Sequence, residues 1–157
     1  MDPARLHTPV MLDRCVELLE PAIAGLAATN SSKQTAAAIA ETVEQMRANI
    51  DDAEIFRETN EAFHDLVAAG SGNPILALLL SSLDHITDGT RVGISFPLER
   101  RRAVLAAHQR ICDAVAAGDA ALATEQMRKH VRQFRKYTEE HYPTATEMPL
   151  RWSDVAP

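Results

Sequence analysis

The chain has 157 residues, a formal net charge of −6, and 46% hydrophobic but only 4% aromatic residues. That length suits one domain with a real core, and the acidic balance excludes the broad basic surface that nucleic-acid binding needs. The two cysteines, Cys15 and Cys112, are too few for a disulfide framework, and with no apolar run of about 18 residues and no basic-then-apolar start, neither a membrane span nor a secretion signal is expected.

Both cysteines are expected as small core residues of a protein in the reducing cytoplasm. Apolar residues recur at the helical period almost everywhere, and no alternating strand pattern is found. A first helix is expected over residues 8–29, with Thr8 as its cap and Pro9 at the first helical position. Pro21 inside it removes a hydrogen bond and predicts a kink. "TNSS" makes a turn before a second helix over residues 33–50. Asp51 and Asp52 cap a third helix that ends in the "GSG" at 70–72. Asn73 and Pro74 open a fourth helix reaching residue 90, and Pro97 precedes a fifth over 98–117. Gly118 and Asp119 stop the fifth and cap a sixth, over 120–142, leaving an irregular or docked tail at 143–157. The expected architecture is a single all-α domain, residues 1–157, whose antiparallel bundle of six to seven helices occupies 8–142.

The histidines carry the chemistry. On the fifth helix the buried stripe is expected at Val104, Leu105, Ile111, Cys112 and Val115, with His108 at its centre. On the sixth it is expected at Leu122, Ala123, Met127, Phe134 and Tyr137, with His130 near its centre. A lone inward histidine is more often a hydrogen-bonded core residue than a ligand. Two on facing helices differ. His108 lies ten residues before Gly118 and His130 twelve after, so they stand roughly 15 and 18 Å from the turn, at one depth. Two imidazoles side by side in a core cost desolvation, and a shared metal ion relieves that cost by taking neutral nitrogen donors.

On the third helix, His64 flanks the stripe formed by Ile55, Phe56, Thr59, Phe63 and Leu66, with Asn60 one turn earlier. Such a pair is commonly a polar flank. Together with His108 and His130 it supplies a third nitrogen and an oxygen, a donor set suited to zinc or nickel. His85 lies off the fourth helix's expected stripe of Ile75, Leu76, Leu79, Leu83 and Ile86, and reads as a surface residue. His7 precedes the first helix, and His141 complements the dipole at the end of the sixth.

"RKHVRQFRK" at 128–136 reads as a solvated outer face rather than a phosphate site. "ERRR" at 99–102 reads as a charged helix start, with Arg91 or Arg102 able to clamp a ligand carboxylate. No phosphate loop, nucleophile elbow or HExxH motif occurs. Glu61 and Asp65 adjoin candidate ligands in sequence but diverge from them around the helix, so no general base is placed near the ion.

Three segments, "NEAFHDLVAAGSGNP", "HQRICDAVAAGDAALATEQMRKH" and the proline-interrupted opening helix with its "LEP", resemble the C-terminal effector-binding (FCD) domain of GntR-type transcriptional regulators of the FadR subfamily. The resemblance covers almost the whole chain. It implies a divalent metal held by Asn60, His64, His108 and His130, a small carboxylate effector completing the coordination, and a homodimer whose attached DNA-binding domains respond. Three positions depart from the pattern: Asn60 stands where aspartate is usual, Val16 where arginine is frequent, and Ala107 where an acidic residue is frequent. No winged helix-turn-helix is found in this sequence, so DNA is expected to be reached only through a domain outside it. Two other readings stay open: a small metal-dependent enzyme using the same histidines, and a metal-free dimerisation module.

Overall fold

The computed structural model describes the backbone of residues 9–90 and 94–143, and the side chains of residues 14–83 and 94–143. Thr8, His7, Arg91, the side chain of His85 and the tail beyond Pro143 lie outside these residues. The described residues form six helices and no strand: α1 (Pro9–Asn30), α2 (Lys33–Ala48), α3 (Ala53–Gly70), α4 (Pro74–Thr90), α5 (Leu98–Ala116) and α6 (Ala120–His141).

The starts of these helices follow from side chains that satisfy otherwise unpaired backbone N–H groups. Ser32 accepts from the Thr35 amide, Asp52 from those of Glu54 and Ile55, and Asp119 from that of Leu122. Asn73 Oδ1 accepts from the Ile75 and Leu76 amides, so Asn73 and Pro74 open α4 as their sequence signature predicts. Gly118 turns the chain between α5 and α6 at φ +70°, a conformation open to glycine without the steric cost of a Cβ. α1 continues as one helix through Pro21.

α1 is the central element and packs against α3, α4, α5 and α6. Its close approach to α6 rests on Gly25: a Cβ there would run into the Thr124 hydroxyl and meet the Ala120 carbonyl at 3.3 Å. α1 and α6 run antiparallel, with Glu17 paired to Arg135 at 2.7 Å near one end and Gly25 against Thr124 towards the other. The core is built from Ile23, Ala24 and Ala27 of α1, Ile39, Val43 and Met46 of α2, Phe56 and Phe63 of α3, Ile111 of α5, and Ala123 and Met127 of α6. Alanines and one glycine on α1 let four helices crowd around it.

Several stripe assignments shift. Ile75 and Leu79 of α4 were expected inside, yet they are 64% and 48% exposed, and Leu80 takes the core position. Leu122 of α6 is also exposed, while Val131 and Thr138 are buried. Cys112 is a core residue as expected, but Cys15 is exposed. A single helix's periodicity identifies an apolar face; only its packed neighbours decide whether that face is covered. The basic run on α6 behaves as a surface: Arg128 and Lys129 pair with Glu125, Arg135 with Glu17 and Glu139, and Lys136 with Glu140. No helix among the described residues is long and apolar enough to cross a membrane.

Candidate metal centre

Four helices bring polar side chains to one point inside the bundle. α3 contributes His64, α5 His108 and α6 His130, each with one donor atom within 4.8 Å of the others. The antiparallel α5–α6 hairpin puts His108 Nε2 and His130 Nε2 only 3.2 Å apart. Two nitrogens each about 2.0–2.1 Å from a common ion stand about 3 Å from one another, so this spacing fits shared coordination. The three rings are held by each other and by Phe63. Phe63 stacks on His108 at 3.9 Å between centroids and 10° between planes, and His64 lies over His130 at 5.4 Å and 23°.

The surroundings keep His108 and His130 neutral, as metal ligands must be. His108 is fully buried, and burial, reinforced by His130 and His64, holds its pKa well below the usual imidazole value. Burial likewise pushes His130 down to about 3; His64, Arg100 and Arg110 add to the effect and Glu20 opposes it. His108 Nδ1 is buried with no hydrogen-bond partner among the described residues. A core histidine serving only as structure would be expected to satisfy that atom.

Two charged groups flank the cluster. Glu20 comes from α1 and is only 5% exposed, with Oε2 placed 3.0 Å from His64 Nδ1. Arg100 comes from the first turn of α5 and is half-buried, its guanidinium 4.7 Å from the centroid of the Tyr137 ring. Burial lowers its pKa, and its Nε has no hydrogen-bond partner among the described residues. Beside Tyr137, Phe96 lies 6.0 to 6.4 Å from the rings of Phe56, Phe134 and Tyr137. The connection leading into α5 is tied to α6 there: the Tyr137 hydroxyl donates to the Ser95 carbonyl at 3.0 Å, and the Ser95 amide donates to the Tyr142 hydroxyl at 3.0 Å.

The FCD domain model matches residues 14–133, which include all three histidines. The chain belongs to the FCD domain family. Among solved structures it is similar to E. coli McbR/YncC, with a TM-score of 0.72 and 18% identity, over 85% of this chain and 68% of that one. No curated protein matches it. As an FCD domain the chain is an effector-binding regulatory domain rather than an enzyme, which removes the metalloenzyme reading.

Of the site residues expected from sequence, the fold gathers His64, His108 and His130. Asn60 is half-buried one turn before His64. Arg102 is exposed; six residues before His108 on a helix of about 100° per residue, it points away from the cluster. Arg91 falls outside the described residues. His141 is exposed in the last turn of α6, stacked on Tyr137. Sequence reasoning missed Arg100 and Glu20. Both carried a signal: Arg100 is in step with Val104 and His108, and Glu20 with Val16, Ile23 and Ala27, so each is a charge on a buried stripe.

Proposed function

We propose that this FCD domain senses a small carboxylate through a divalent ion, zinc or nickel, held by His64, His108 and His130, with Asn60 as a neutral oxygen donor. The observation that carries the reading is the 3.2 Å approach of two buried Nε2 atoms beside a third imidazole. An ion bound there supplies a Lewis-acidic contact for one carboxylate oxygen. Arg100 supplies the second contact. Val16 contributes no charge from α1, and of the two α5 arginines that act on His130, Arg100 is half-buried and Arg110 exposed. Arg100 is held against Tyr137, and its Nε–H meets no partner among the described residues, leaving a donor for an anion. The effector then favours one arrangement of the domain by binding it more tightly than the other, and an attached winged-helix domain in the cytoplasm changes its grip on DNA.

Titrating small mono-, di- and tricarboxylates into the zinc-loaded protein tests this reading. The expected result is a carboxylate whose affinity drops about 10- to 100-fold in Arg100→Ala, as losing a charge-assisted hydrogen bond worth about 1.5–3 kcal/mol implies, and which does not bind after EDTA treatment. Equal affinity for the wild type, the variant and the chelated protein would sink it.

The reading includes a homodimer. Its support is the row Ile75, Leu78 and Leu79 on α4, each about half exposed or more, in a stretch from Pro74 to Leu83 without a charged residue. Two identical uncharged apolar faces can meet without repulsion. Leu78→Glu is expected to convert a dimer to a monomer in sedimentation; an unchanged sedimentation coefficient would exclude this face.

A second reading has one observation in its favour. The 3.2 Å contact of His108 Nε2 with His130 Nε2 is also the length of an N–H···N hydrogen bond, which a metal-free core pair would make.

A further inference from the structure

α1 turns an almost entirely apolar face to the core: Val16, Ile23, Ala24 and Ala27 are all at most 6% exposed. Glu20 is the exception on that face, 5% exposed, and its carboxylate reaches His64. Burying a carboxylate costs several kcal/mol unless a partner compensates it. Helix packing alone does not call for it, since an apolar side chain of similar size would fill the position at no such cost.

The contact is specific to one atom. Glu20 Oε2 lies 3.0 Å from His64 Nδ1, and a carboxylate that close favours the tautomer with its proton on Nδ1 and the lone pair on Nε2. Glu20 is not itself one of the groups whose donor atoms cluster within 4.8 Å. The three donors are imidazoles with no carboxylate among them, and the amide of Asn60 adds no charge. A divalent ion among them would sit in a low-dielectric interior with its charge balanced only from outside the donor set.

Resting on the metal reading above, we infer that Glu20 is the positioning carboxylate of this site: by facing Nδ1 of His64 from α1 it fixes Nε2 as the donor atom and orients the ring toward the ion. A carboxylate behind a histidine raises that ligand's basicity and fixes its ring, and losing such a partner typically weakens metal affinity about 10- to 100-fold. His108 has no equivalent, because no carboxylate is placed against its ring among the described residues. His64 is thus the ligand through which α1 influences the ion.

The test measures zinc affinity by competition with a chromophoric chelator, and the visible spectrum of the cobalt-substituted protein, for wild type, Glu20→Gln, His64→Ala and the double variant. Glu20→Gln keeps size and an acceptor oxygen but loses the charge. The expected result is a zinc affinity about 10- to 100-fold weaker, with an unchanged cobalt band position because the three nitrogen ligands remain, and a metal-free melting temperature equal to or above wild type. In the His64→Ala background the Glu20 substitution is expected to change zinc affinity less than threefold. Wild-type affinity in Glu20→Gln overturns the inference while leaving the metal site standing. A cobalt spectrum that loses a ligand makes Glu20 a direct donor and overturns it too. An equal loss of affinity in both backgrounds shows that Glu20 does not act through His64. Absence of zinc binding in the wild type overturns the metal reading itself, and this inference with it.

Discussion

Stripping the purified protein with EDTA lowers its melting temperature by about 5–15 °C, and added zinc restores it. An ion present at 100 to 1,000 times its dissociation constant stabilises the fold by roughly 2.7–4.1 kcal/mol, and for a domain of this size each kcal/mol moves the melting temperature by about 2–4 °C. The variant with His64, His108 and His130 all replaced by alanine is expected to melt at the same temperature with and without chelator. Scanning fluorimetry reads both. If chelator leaves the wild-type transition unmoved, the imidazoles form a hydrogen-bonded core pair with His64 beside it, and the metal reading fails.

The metal-free protein is expected to lose stability steeply as pH falls below neutrality. Burial depresses the pKa values of His108 and His130 in the fold, the latter to about 3, whereas in the unfolded chain an imidazole titrates near 6.5. Between those values the unfolded state binds protons that the folded state refuses, so stability is fully present above the unfolded value and drains away as pH drops through the window. Each histidine contributes up to about 1.4 kcal/mol per pH unit there. Two of them imply a loss of about 3–4 kcal/mol between pH 7 and pH 5. The groups facing the pair are His64 from α3, Glu20 from α1, and Arg100 and Arg110 from α5. Urea midpoints at several pH values give the slope directly. His130→Gln is expected to remove about half of it. A flat profile between pH 7 and 5 would mean that the buried histidines are protonated in the fold, which contradicts the donor set required of them.

These effects rest on a site that was partly legible in the sequence. His108 and His130 could be placed opposite one another because a helix rises by a fixed amount per residue and the glycine and aspartate at 118–119 mark the turn between them. That geometry needs no knowledge of the other helices. His64 was harder, since the route of α3 past the hairpin is set by packing against α1 and α2. Glu20 and Arg100 were legible only in part. Each lies in step with buried neighbours, yet a charge at a helix start or beside a proline is ordinarily solvated, and only the convergence of four helices shows why these two turn inward.

The fold was legible for a related reason. Asp52, Asn73 and Asp119 cap α3, α4 and α6 where the sequence places them, since each side chain satisfies amides within its own first turn. Coverage of an apolar face is different. Ile75 and Leu79 sit on a face of α4 that looks like core in isolation and stays open in this chain, because covering it requires an element that local sequence cannot specify. Cys15 is similar: a small apolar residue whose burial depends on what lies over the beginning of α1.

The central claim is that three imidazoles on three helices hold one ion. Inductively coupled plasma mass spectrometry of the purified domain, beside the triple His→Ala variant prepared in the same way, addresses it most directly. The account predicts close to one equivalent of zinc or nickel per wild-type chain and a background amount in the variant. Equal metal content in the two proteins, at any level, would contradict it.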